Sequence, residues 1–214
     1  NPPSFPPKTQ KTPFLITPPS YWNLDERQSL LPAILVDTSD ARDDYAPILE
    51  CVLRGHLHVS EDKQPVSLAI TDIVLTHWHH DHVGGVPYVL RMLQRLRREV
   101  PQLPVPRVHK IPEPKTDPSL FERVQSVSDD AYAHAPGATG LARLMWPLRD
   151  QDQIQVRDPD NAHLTSTLRV LYTPGHAADH AMLLLEEDHI LLTADNVLGK
   201  GSTAFEDLVL YMYR

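Results

Sequence analysis

The run Thr76-His77-Trp78-His79-His80-Asp81-His82 gathers metal-ligating side chains within seven residues. Alternate residues of an extended segment share a face, so His77 and His79 can turn toward one ion. Asp81 and His82 lie further along the bend and can turn toward a second. Imidazole suits zinc, and a carboxylate suits zinc or manganese. An ion needs about three or four protein ligands, and the run offers each ion two at most, so distant partners are required. Two candidates follow apolar runs in turn-like settings: His176 in Tyr172-Thr173-Pro174-Gly175-His176, and Asp195 in Leu192-Thr193-Ala194-Asp195. The chemistry expected is hydrolysis by a metal-activated water attacking a carbonyl or phosphoryl centre. Asp81 is the candidate catalytic group, orienting the water or accepting its proton. No Ser-His-Asp or Cys-His nucleophile is needed. The one cysteine, Cys51, has no motif around it and reads as a small buried hydrophobe.

A rigid strand has to deliver the histidine run to a crevice. Residues 70–75 read as that strand, and 33–38 as a second buried strand ending in a carboxylate. Residues 45–54 read as a helix and 55–67 as a polar loop. A helix covers about 86–99, with Val89, Leu93, Leu96 and Val100 as its apolar stripe and Arg91, Arg95, Arg97 and Arg98 on its other side; Pro101 stops it. Residues 101–118 read as proline-rich loop, and 119–150 give no assignment. Strands are expected at 167–172, 181–186 and 189–193, and a short helix at 204–213. Strands alternating with helices argue for a layered α/β fold. Prolines at 2, 3, 6, 7, 13, 18 and 19 make residues 1–19 an extended arm rather than helix or sheet, leaving 20–214 as the domain.

The chain has 214 residues, 41% of them apolar, enough for one sizeable core. No apolar stretch is long enough to span a membrane. A net charge of −8 argues mildly against a nucleic-acid binder held by bulk charge. A single cysteine excludes an intrachain disulfide and favours an intracellular home, cytoplasmic or mitochondrial. His56 and His58, in a polar loop, read as surface residues, as do His109, His134, His163 and His189.

His77-x-His79-x-Asp81-His82 resembles the signature of the metallo-β-lactamase superfamily. The segments Thr173–Glu187 and Ala194–Leu208, followed by Tyr211-Met212, are similar to one branch of it, the beta-lactamase-like protein 2 group. The resemblance implies a four-layer αββα sandwich with its site at one edge of two sheets. It implies that His77, His79 and His176 hold a first zinc, and that Asp81, His82 and Asp195 hold a second, with Asp195 bridging. Asp37 matches an aspartate that orients a ligand from behind, and Asp179 and His180 match positions particular to the branch. Four features depart from the family. Ala194 and Ser39 stand where glycine is usual. The Gly-Thr-Asn-Thr-Tyr type strand expected before residue 33 is not recognisable, Tyr21 to Pro32 standing in its place. A further histidine for the second metal, from a Gly-His-Gly type motif beyond residue 208, is not in the sequence, so the C-terminal part of the fold is expected to be incomplete.

Two substrate classes follow from the branch. One is an acyl-thioester or related ester, as in fungal polyketide thioesterases; the other is single-stranded RNA, cleaved by an endoribonuclease. The acidic balance favours the first. The arginines of the helix at 86–99 favour the second if they meet phosphates, although a solvated helix face is the preferred account of them. A non-catalytic binding subunit that keeps a relic fold is the third alternative.

Overall fold

β2 (Leu31–Val36) and β3 (Leu68–Leu75) are near-continuous apolar runs because both of their faces are covered. The computed structural model describes residues 13–19, 30–40, 45–54, 67–199 and 201–213. Most of the proline-rich arm, His56 and His58 lie outside them. β2 and β3 pair in parallel, and β4 (Arg107–Lys110) and β5 (Met145–Pro147) continue the parallel run. β1 (Phe14–Ile16) adds an antiparallel edge, giving the order β1-β2-β3-β4-β5. The second sheet is antiparallel in the order β6-β7-β8-β9, from Gln153–Arg157, Thr165–Tyr172, Ala181–Leu185 and Ile190–Leu192.

Two apolar layers hold this together. Between the sheets lie Ile34, Val36 and Val74 from the first and Ile154, Val156, Leu168, Val170, Leu183 and Leu185 from the second. The other face of the first sheet packs on α1 (Tyr45–Leu53), α3 (Val86–Glu99) and α4 (Asp117–Val124), through Leu53, Val89, Leu93, Leu96 and Leu120 among others. The mixed α/β sandwich is the class expected. Its described part runs helices, sheet, sheet. On β6, Gln153, Gln155 and Arg157 face outward and are exposed. In the last helix, α5 (Leu208–Met212), the Tyr211 hydroxyl donates to the carbonyl of Asn196.

Several sequence expectations are corrected. Residues 14–16 form a strand, not a plain arm, since Pro13 and Pro18 flank it and an edge strand tolerates missing donors. It supplies the antiparallel strand ahead of β2 that residues 21–32 were expected to replace. β4, β5 and β6 are short and lie in stretches read as loop or unassigned. His109 is buried, its Nε2 2.6 Å from Asp72 Oδ1, and is not a surface residue. His134, His163 and His189 are exposed as expected, and Cys51 is half-buried. No helix among the described residues is long and apolar enough to cross a membrane.

Candidate metal centre

The topology sends one set of strand ends to one edge. β2 and β3 are parallel, and β7 and β9, separated by the antiparallel β8, also run the same way. Asp37 follows β2, the histidine run follows β3, His176 follows β7 and Asp195 follows β9. After His79 the chain turns into α2 (His80–Val83), which carries Asp81 and His82, and then into α3. Between them the backbone passes so close to Thr38 that a Cβ on Gly85 would lie 1.8 Å from its carbonyl oxygen. Only glycine permits that approach.

Three ring nitrogens converge there. His77 Nε2 lies 3.0 Å from His79 Nδ1, and His176 Nε2 lies 2.9 Å from His79 Nδ1 and 3.2 Å from His77 Nε2. Asp195 Oδ2 is 3.6 Å from His176 Nε2. The second group follows directly: Asp81, His82 and Asp195 bring one ligand atom each to within 4.8 Å of one another, with His82 Nε2 3.2 Å from Asp195 Oδ1. Asp195 thus belongs to both groups. All six expected ligands are brought together.

The surroundings fix which nitrogen faces inward. Asp37 Oδ2 sits 2.7 Å from His82 Nδ1, which places the proton there and leaves the Nε2 lone pair toward Asp195. Asp37 also accepts hydrogen bonds from the N–H of Thr76 at 2.9 Å and from its hydroxyl. The carbonyl of Ala204 lies 2.7 Å from His176 Nδ1 and orients that ring likewise. Burial pushes the His77 imidazole well below its usual pKa, and its histidine neighbours push it further. Burial and then His176 lower His79 to about 4, partly opposed by Asp81 and Glu206. These rings are therefore neutral at pH 7. Their lone pairs cannot all bond to one another at 2.9–3.2 Å, and a shared cation resolves the clash. The donor set fits a metal.

Asp179 and His180 lie behind the rings rather than among the ligands. His180 Nδ1 is 3.0 Å from the Thr173 hydroxyl, and burial followed by His176 lowers its pKa to about 3. Asp179 is buried against Lys110, and burial raises its carboxyl in spite of that ammonium. Residues beyond those expected from sequence complete the support. Thr76 links Asp37 to the histidine run, and its carbonyl accepts the N–H of Ala181 from the second sheet. Residues 203–207 close over His176, with Glu206 receiving the Trp78 indole N–H at 3.2 Å and the Ala178 N–H at 3.1 Å. The capping glutamate is visible in the sequence; the carbonyl of Ala204 carries no sequence signal.

A cleft of about 360 Å³ opens from the second group, between the edge strands of the two sheets. Asp37, Asp81, His82 and Asp195 form its polar floor. Its walls include Pro13, Phe14, Leu191, Leu192, Val197 and Leu198, and no lysine or arginine is among the described lining residues.

The description "Metallo-beta-lactamase superfamily" matches residues 33–212. An Aspergillus fumigatus protein named "Atrochrysone carboxyl ACP thioesterase" is 30% identical over 179 residues, covering 84% of this chain and 30% of the relative. "Lactamase-like protein vrtG" of Penicillium aethiopicum is 33% identical over 179 residues, covering 84% of this chain and 41% of the relative. The chain thus spans less than half the length of these relatives. The crystal structure of a beta-lactamase domain protein from Burkholderia ambifaria superposes with a TM-score of 0.58 at 19% identity, covering 94% of this chain and 57% of that one.

Proposed function

The chain belongs to the metallo-beta-lactamase superfamily, and from that premise we propose that it is a zinc-dependent hydrolase of acyl-thioesters or related esters. The observation that carries the hydrolase reading is the meeting of His77, His79 and His176 at 2.9–3.2 Å beside Asp81, His82 and Asp195. Four imidazoles among six ligands favour zinc over manganese. Zinc in this position lowers the pKa of water toward about 7 and polarises a carbonyl. Asp81, half-buried on the cleft floor, accepts the proton that the attacking water gives up. Asp37 and Ala204 keep His82 and His176 aimed while charge develops.

The cleft supports an acyl substrate over RNA. Its walls suit an apolar acyl group, and its described lining offers no cation to a phosphate backbone. Three of the four arginines of α3 are engaged elsewhere. Arg95 pairs with Glu50 and Glu99, Arg97 donates to the carbonyl of Asp130, and Arg91 donates to Ser126. Arg95, Arg97 and Arg98 also lie about 14–18 Å along the helix from Val86, at 1.5 Å per residue. The relatives named as thioesterases agree with this choice.

Purified protein loaded with zinc should be offered an S-acyl-N-acetylcysteamine thioester and a labelled single-stranded RNA in parallel. Thioester cleavage, lost together with bound zinc in His79→Ala, is the expected result. Cleavage of RNA alone would replace this substrate with the endoribonuclease alternative. Retained zinc with no turnover on either would leave a binding subunit.

A further inference from the structure

Lys110, the last residue of β4, is 1% exposed, and the proposed hydrolysis employs no lysine. Burying an ammonium costs several kcal/mol unless carboxylates receive it. Its Nζ lies 2.7 Å from Asp117 Oδ1 and 2.5 Å from Asp179 Oδ2, and donates to the carbonyl of Ile111 at 3.0 Å. The two carboxylates belong to different parts of the molecule. Asp117 starts α4 in the helical layer, and its second oxygen accepts the N–H of Glu113 at 2.8 Å. Asp179 lies in the loop that carries His176, and just beyond it the Ala181 N–H donates at 2.9 Å to the carbonyl of Thr76, the residue before His77, so the two loops meet there.

We propose that Lys110 is a positioning residue for the three-histidine cluster. Clamped to the helical layer through Asp117, it holds Asp179 in place. Asp179 in turn fixes the loop of His176 against the turn of His77 and His79. Ligating nitrogens must be held within about 0.5 Å of their working geometry, and these two loops come from different sheets. A charged strut at their junction supplies that rigidity. The inference rests on the reading of His77, His79 and His176 as metal ligands.

The test compares two variants that each remove one carboxylate from Lys110. Asp179→Asn and Asp117→Asn should cost similar thermal stability, but only Asp179 reaches the site loops. Cobalt(II) is titrated into each protein and read by its visible absorption, which reports both affinity and ligand geometry. Asp179→Asn should bind cobalt about 10–100-fold more weakly, with an altered spectrum; Asp117→Asn should stay within about threefold of the parent, as its carboxylate lies outside the supporting shell. Equal affinities and spectra in the two variants would reduce the network to plain scaffolding and overturn the proposal. Should Asp179→Asn fail to fold, the double variant Lys110→Met with Asp179→Asn removes both charges, and an unchanged cobalt spectrum there would overturn it too. A parent protein that binds no cobalt would overturn the metal reading and this inference together, whereas cobalt binding that neither variant perturbs would overturn the strut alone.

Discussion

Asp37 occupies a strained backbone position, φ 59°, and spends it on orienting two neighbours, His82 and Thr76. Removing that carboxylate takes away the 2.7 Å acceptor that orients the His82 ring. Asp37→Ala should therefore weaken metal binding in the second group about 10–100-fold, while the first group is nearly unaffected, as equilibrium dialysis with stepwise zinc addition would show; equal loss at both groups would contradict the assigned role. Two other residues adopt left-handed backbone where the family usually has glycine: Ser39 at φ 65° and Ala194 at φ 44°. A side chain in that region costs about 1–2 kcal/mol, and glycine returns part of it through the greater freedom of the unfolded chain, about 0.4–1 kcal/mol. Ser39→Gly and Ala194→Gly should each stabilise by about 0.5 kcal/mol, a rise in Tm of about 1–2 °C. A fall in Tm would mean that side-chain contacts outweigh the backbone strain. At this scale the ligands were legible because five of the seven residues in 76–82 are histidine or aspartate. Lys110 was not, because it lies in a proline-rich stretch that reads as loop, and Asp179, its partner beside the site, is in a loop of the other sheet.

Most of the elements that could be read ahead of the structure, β2, β3, β7, β8, α1 and α3, are apolar runs or stripes long enough to stand out, ended by breakers such as Pro101, and the short β9 was read with them. β1, β4, β5 and β6 are three to five residues long, and their neighbours in the sheets define them more than their own composition does. β4 shows this well. Asp72 of β3 pairs across to His109 and Arg107, so two polar residues of a short strand are held by a partner 35 or more positions away. Burial alone would raise the Asp72 carboxyl, but hydrogen bonds from His109 and Arg107 prevail and hold it below the ordinary range. The sign of the consequence follows. A carboxyl whose folded pKa is depressed stabilises the protein above its unfolded value of about 3.9, and that contribution is lost as the pH falls through the lower, folded value. Asp72→Asn should cost about 3 kcal/mol at pH 7, and the gap to the parent should narrow as the pH falls below about 4. Urea unfolding at several pH values measures it; a gap that stays constant down to pH 3 would show that the carboxylate's charge is not what holds β4 to β3.

Charge and substrate meet at the level of the whole molecule. The chain carries a net −8 at pH 7, and the described lining of the cleft contributes carboxylates and apolar walls. A polyanion approaching the described lining must overcome the repulsion of its carboxylates, and no lysine or arginine among those residues offsets it. A neutral thioester meets no such barrier, because burial of its acyl group against Phe14, Leu191 and Val197 is insensitive to screening. The two substrate classes therefore predict different responses to salt. A protein that neutralises about six phosphates loses roughly 1,000-fold in affinity between 50 and 200 mM salt. Turnover of a neutral acyl-N-acetylcysteamine thioester should change less than about twofold over the same range, since no phosphate counterions are released. It should also improve as the acyl group is lengthened from acetyl toward the capacity of the cleft, by about 0.8 kcal/mol per methylene buried, or roughly fourfold in kcat/KM for each. A flat response to acyl length with a steep response to salt would place the working contacts on charge, and with them the substrate among nucleic acids.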